Sequence, residues 1–197
     1  MDAITSKWDQ IYSKSDLAFS TAIEVLSENN FLLPKTGLAL DLACGLGANA
    51  IFLAEHGLAV TAWDTSAVAI NKLTAYAALK DLNISACQEK IIPNSLPESL
   101  YDVIVVSRFL DRSLSDAIIE GLKPDGLLFY QTFIKEKTSP KPPNNPDYLL
   151  RCGEMLEMFS PLKLIFYREN ALIGNQLLGL RNEAQFVGQK RNLLVTL

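Results

Sequence analysis

The sequence predicts an α/β fold, a doubly wound and mostly parallel sheet with helices on both faces, and three observations predict it. Apolar runs of strand length alternate with segments of helical period along most of the chain. A glycine-rich loop joins the first of those runs to a helical segment, the junction that βαβ units place at the edge of a sheet. The 197 residues are 49% hydrophobic and 20% charged, enough apolar matter for one full core without disulfide or metal staples. One domain over 1–197 follows, with a helical cap over 1–36.

The elements follow in order. Trp8 to Lys14 and Leu17 to Asn30 read as helices, the second with Phe19, Ala22, Ile23 and Leu26 on one apolar face. Five strands come next: Leu38–Ala43, Ala59–Trp63, Ile84–Gln88, Tyr101–Val106 and Leu127–Phe133. Between the first two, Ala48 to His56 is helical and Gly57 supplies its left-handed C-terminal cap. Ser66 is the N-cap of the next helix, whose apolar stripe is Val68, Ile70, Leu73 and Leu79. Lys123-Pro-Asp-Gly126 marks a sharp turn into the fifth strand. Residues 135–147 hold four prolines and no large apolar side chain, which makes them a surface loop. Its length of about 13 residues suits either a lid or a solvated linker. A short helix near Gly153 to Phe159 and strands at Leu162–Tyr167 and Ala184–Gln189 complete the reading. Leu172 to Leu180 and Leu193 to Leu197 match no element.

Composition excludes several classes of function. Lys and Arg number 18 against 22 Asp and Glu, a net charge of -4, so no basic field favours nucleic acid as the main partner. The 3 cysteines, Cys44, Cys87 and Cys152, are odd in number and scattered, which fits neither a disulfide framework nor a metal site. No stretch reaches the roughly 18 apolar residues of a membrane span, and the N-terminus resembles no signal peptide. A cytoplasmic location is expected. The single histidine, His56, lies at the far end of its helix from the glycine loop and reads as structural.

The informative stretch is Leu38 to Ala50, LALDLACGLGANA. Gly45 and Gly47 let the backbone turn tightly and approach a ligand, and the helix after them presents unpaired N–H groups. Asp64, at the end of the next strand, is placed to accept hydrogen bonds from ribose hydroxyls. Gly45-Leu-Gly47-Ala-Asn-Ala50 also matches the dinucleotide pattern. Asp41 argues against a pyrophosphate there and for a cationic ligand bearing an ammonium, such as the methionine part of S-adenosylmethionine. Unit charges about 4 Å apart interact by roughly 4 kcal/mol at an intermediate dielectric, so the sign of the ligand matters. An Asp41 that caps the following turn is the alternative.

Leu38 to Ala50 with Asp64, the Tyr101–Val106 strand and Leu122-Lys-Pro-Asp-Gly126 together resemble the class I S-adenosylmethionine-dependent methyltransferases. More narrowly, the chain is similar to small bacterial tellurite-resistance-type methyltransferases, over about residues 8 to 190. The resemblance implies a Rossmann-like sheet of seven strands with an antiparallel last strand. It implies S-adenosylmethionine held by Asp41, Ala43, Cys44, Gly45, Gly47, Asn49, Ala50, Asp64, Thr65, Ser107 and Arg108. It also implies an acid near the adenine, a place that Gln88 or Glu89 fills here. One departure is Ala43, where the family's first loop glycine stands.

Methyl transfer from a sulfonium needs positioning more than acid–base equipment, because the cofactor carries the leaving group. Ser107 to Arg112, after the fourth strand, should face the transferred group. Asp111 is a candidate to accept a proton from the acceptor, and Arg108 or Arg112 to hold an anionic group on it. Equally, these residues read as a salt-bridge cluster at a helix start. Trp8 and Tyr12 form an aromatic pair suited to closing over a ligand or to packing on the core. A small-molecule acceptor is expected, since no added substrate domain is visible. The competing functions are an NAD(P)-dependent oxidoreductase and a non-catalytic S-adenosylmethionine-binding protein.

Overall fold

In the computed structural model, residues 3–16 and 20–192 are described. Seven strands form one sheet: β1 Leu38–Leu42, β2 Ala59–Asp64, β3 Ile84–Gln88, β4 Tyr101–Ser107, β5 Leu122–Phe133, β6 Lys163–Glu169 and β7 Glu183–Gln189. The described helices are α1 Ala3–Ser13, α2 Glu24–Glu28, α3 Ala48–Glu55, α4 Ala67–Lys80, α5 Ser115–Gly121 and α6 Glu154–Met158. The strand order is β3-β2-β1-β4-β5-β7-β6. β1 to β5 pair in parallel, and β7 runs antiparallel to both β5 and β6. The seven-stranded, doubly wound sheet expected from the sequence is present, including its antiparallel last strand.

Alternation along the strands splits the core in two. Leu40, Leu42, Ile104, Val106, Leu128 and Tyr130 face α5 and α6, where Leu114, Ile118, Met155 and Phe159 cover them. Ala39, Val103, Val105 and Phe129 face the other way, onto Val25 and Leu26 of α2, Leu53 of α3, and Ile70 and Leu73 of α4. After β1 the chain builds outward to β2 and β3, then returns to lay β4 and β5 on the other side. The C-terminal ends of β1 and β4 therefore border a topological switch point, where a crevice opens.

Local chemistry sets the helix ends. At the end of α3, Gly57 has φ 94, its N–H donates to Ala54 O at 3.0 Å, and Leu58 N–H donates to Leu53 O at 3.2 Å, a Schellman closure. Ser66 Oγ accepts from Ala69 N–H at 3.2 Å and caps α4 as expected. The buried face of α4 is Ala69, Ile70, Leu73 and Ala77; Leu79 is 79% exposed, so it does not belong to the stripe.

Two expectations need correction. Leu17 to Asn30 is not one helix: residues 17–19, with Phe19, lie outside the described residues, and the helix begins only at Glu24. Ile23 N–H donates to Asn49 Oδ1 at 3.0 Å and Val25 N–H to Gln131 Oε1 at 3.0 Å. These tertiary acceptors draw the chain into an extended path at Ile23 (ψ 149). The turn at Lys123–Gly126 lies inside β5 as an irregularity, since Tyr101 pairs with Leu122 and Val103 with Leu127. Leu172 to Leu180, unplaced from sequence, forms a loop wrapped around Arg181, whose guanidinium donates to five carbonyls from Asn170 to Leu178. Leu193 to Leu197 lie outside the described residues. Among the described residues, no helix is long and apolar enough to cross a membrane.

Candidate functional site

A cleft of about 890 Å³ opens over the β1/β4 switch point, a volume suited to a cofactor-sized ligand. Its walls include Ala43, Cys44, Gly45, Asn49, Asp64, Thr65, Gln88, Glu89, Ser107, Arg108 and Asp111, all expected from sequence. Asp41, Gly47 and Ala50 do not reach it; they lie beneath the loop. Tyr12, Trp8 and Thr5 of α1, Ser20, Thr21, Ile23, Ile91, Phe109 and Phe133 also border it. No residue of the 135–147 loop does.

The loop is shaped from below by two carboxylates. Asp41 is fully buried; its Oδ2 accepts from Ala50 N–H at 3.0 Å and its Oδ1 lies 3.5 Å from Asn49 Nδ2. Burial pushes its carboxyl up to about 7. The side chain thus makes the cap at the start of α3 that stood as the alternative to a ligand contact, because its strand position points it at that helix. Asp64, only 6% exposed, accepts from Gly45 N–H at 2.8 Å and from Ser66 N–H at 2.9 Å. Burial raises its pKa as well. Thr65 N–H is a third backbone donor to it, which leaves one of the carboxylate's four acceptor sites.

Backbone geometry explains the glycines. Gly45 has φ 53, and a Cβ there would lie 2.7 Å from the Tyr12 hydroxyl. Gly47 has φ 82, and a Cβ would lie 2.5 Å from Leu73. Ala43 adopts φ 57, the left-handed conformation that glycine enters without strain. Buried Cys44 keeps its thiol protonated, because burial and the neighbouring Asp41 and Asp64 raise its pKa. The same causes, burial first, raise that of Tyr12.

Along β4 the polar side chains form a continuous web. Asn49 Nδ2 donates to Ser107 Oγ at 3.1 Å while its Oδ1 holds Ile23 N–H. Arg108 has φ 50; its N–H donates to Gln131 O at 2.8 Å and its Nε to Glu183 Oε1 at 3.0 Å. Gln131, fully buried, donates from Nε2 to Glu24 and Glu183. Sequence reasoning missed this Glu24–Gln131–Glu183 bridge. Its signal was present, since Gln131-Thr132 interrupts the apolar run Leu127–Phe133, and a buried polar residue requires partners.

Several sequence candidates have other employment. Asp111 accepts from Ser113 N–H at 3.0 Å and Oγ at 2.7 Å, the cap of a short 3₁₀ turn, while still bordering the cleft. Arg112 is turned away: it holds Glu154 with two hydrogen bonds and donates to Asp147 O and Leu149 O. His56 lies 2.7 Å from Phe52 O and stacks on Phe52. All three cysteines are free, and no cluster of potential metal ligands occurs among the described residues.

With that geometry in place, kinship becomes decisive. The chain matches the family described as tellurite resistance protein TehB over residues 4–134. The chain belongs to the TehB family. A curated TehB of Haemophilus influenzae, described as a probable S-adenosyl-L-methionine-dependent methyltransferase, is 37% identical over 87 residues. That stretch is 43% of this chain but only 30% of the relative's length. The crystal structure of Haemophilus influenzae TehB superposes with a TM-score of 0.71 at 23% identity, covering 93% of this chain and 67% of the other. A SAM-dependent methyltransferase from Aquifex aeolicus gives 0.66 at 17% identity, covering 96% and 98%. The TehB match ends at residue 134, so Arg112 and the cleft residues fall inside it while the Arg181 loop does not.

Proposed function

We propose that this TehB-family chain is a cytoplasmic S-adenosylmethionine-dependent methyltransferase acting on a small-molecule acceptor. One observation carries the choice of cofactor: amide donors of the loop and of the first turn of α3 are already turned onto acids, Gly45 N–H onto Asp64 and Ala50 N–H onto Asp41. A dinucleotide fold reserves the corresponding helix terminus for pyrophosphate. Here a phosphate in the cleft would meet the Asp64 carboxylate, whereas a ligand with ribose hydroxyls and positive charge meets a complementary group. The same argument disfavours the NAD(P)-dependent oxidoreductase.

The residues present fit the cofactor, and each takes a part. Asp64 accepts from a ribose hydroxyl with its remaining acceptor site. Thr65, Gln88 and Glu89 border the adenine side. Ala43, Cys44 and Gly45 supply backbone without bulk, and the Asn49–Ser107 hydrogen bond ties the start of α3 to the end of β4. When bound, the cofactor supplies an electrophilic methyl group with a thioether leaving group. The chain's own contribution is to hold two reactants in line and exclude water, for which α1 and the Ser20–Ile23 segment cover the cleft. Arg108 is held by Glu183 and orients the acceptor. Asp111 is placed to take a proton from it.

Calorimetric titration with S-adenosylhomocysteine tests this reading. Wild type is expected to bind at micromolar ligand, and Asp64→Ala to lose at least tenfold in affinity. Tight binding of a reduced nicotinamide dinucleotide, with none of S-adenosylhomocysteine, would reverse the assignment. Binding with no turnover on any acceptor of a broad panel would favour the non-catalytic alternative.

A further inference from the structure

Helix α1 is attached to the body in an unusual way. Its apolar side chains are only partly buried, with Trp8 38% and Ile11 41% exposed. An isolated helix of 11 residues is marginal in water. Its hydrogen bonds to the body are concentrated on α4 and the Ser66 cap of that helix. Asp9 Oδ1 accepts from Ser66 Oγ at 2.5 Å and from Val68 N–H at 3.4 Å, at the positive end of α4. Lys72 Nζ donates to Tyr12 O and Ser15 O, both at 2.7 Å, at the negative end of α1.

These contacts close a ring through the cofactor site. Ser66, held by Asp9, donates its N–H to Asp64 Oδ1 at 2.9 Å. Asp64 accepts Gly45 N–H at 2.8 Å. Gly45 lies directly beneath the Tyr12 hydroxyl, which returns the ring to α1. Trp8 stacks on Tyr12 with ring centroids 5.6 Å apart, so the tyrosine is steadied from its own helix.

We propose that Asp9 and Lys72 are positioning residues forming a two-point latch, which docks α1 on α4 so that Tyr12 covers the glycine loop while Asp64 is aimed at the ligand. Docking of α1 and binding of the cofactor are then coupled, each favouring the other by the same factor. This rests on the cofactor reading given above. The latch contacts are polar and reversible and the apolar face of α1 is only partly buried, so the helix can open to admit the ligand and close behind it.

The test combines hydrogen exchange of the α1 amides with S-adenosylhomocysteine binding, in wild type, Asp9→Ala and Lys72→Met. Alanine preserves helix propensity at position 9, and the second variant breaks the other attachment without touching Ser66. Expected are extra protection of α1 in wild type on ligand addition, its loss in both variants without ligand, and an affinity loss of about tenfold expressed mainly as faster dissociation. Unchanged affinity despite an exposed α1 would make the helix a passenger and overturn the latch. Weakened affinity with α1 still protected would also overturn it, because the effect would not run through docking. Failure of wild type itself to bind would strike the cofactor reading, and the coupling with it.

Discussion

Ala43 occupies a left-handed conformation at φ 57, which costs an L residue roughly 1–2 kcal/mol. The family pattern has glycine there, and the structure gives the reason: the chain must reverse between β1 and the loop. Ala43→Gly is expected to raise stability by about 1 kcal/mol, seen as a melting temperature about 2–4 °C higher; an unchanged or lower value would show that the site tolerates the methyl without strain. Asp41 makes a second prediction. Its folded-state pKa is pushed up from 3.8 to about 7, so the folded protein binds a proton that the unfolded chain releases at lower pH. Its stabilising effect is complete below the unfolded value and is lost as pH rises through about 7. Urea midpoints of wild type should therefore fall more steeply between about pH 5 and 7.5 than those of Asp41→Asn; parallel curves would contradict this. The sequence exposed both residues, and for Asp41 it left a ligand contact and a helix cap as alternatives, because a motif shows which residues are near one another and not which way each side chain points.

The connection between loop and helices is governed by close approach. Gly47 leaves no room for a Cβ, which would lie 2.5 Å from the δ carbons of Leu73. Leu73 is itself fully buried in the core under α3 and α4, so it has nowhere to retreat. Gly47→Ala is expected to cost about 2–4 kcal/mol from strain and overpacking, measured by urea unfolding, and a loss below 0.5 kcal/mol would mean the core there is slack. On the opposite face, Arg112 ties the end of the proline-rich loop to α6 through buried Glu154 and two carbonyls. Arg112→Ala leaves Glu154 short of its principal partner and should cost about 2 kcal/mol, with the cofactor affinity unmoved; a selective loss of affinity would return Arg112 to the site. Alternation, caps and glycine punctuation made most elements legible, as at Ser66 and Gly57. The break at Ile23 was not legible, because Asn49 and Gln131, distant in sequence, supply the acceptors that end the helical pattern.

At the scale of the whole molecule, the order β3-β2-β1-β4-β5-β7-β6 brings the carboxyl ends of β1, β2 and β4 together at the cleft. The glycine loop, Asp64 and the β4 end therefore converge although they are far apart in the chain. That convergence was legible from sequence, since it follows from parallel βαβ succession. The Glu24–Gln131–Glu183 bridge and the docking of α1 were not, because both depend on side chains meeting across non-adjacent elements. The TehB family match extends over the sheet's first five strands, to residue 134, and the Arg181-centred loop lies beyond it. The most direct measurement is the crystal structure of the chain bound to S-adenosylhomocysteine. The ribose is expected on Asp64, the amino-acid part over Ala43 to Gly45 beneath Tyr12, and the sulfur toward Ser107 and Arg108. A ligand lying elsewhere, or one whose ribose makes no contact with Asp64, would contradict the account.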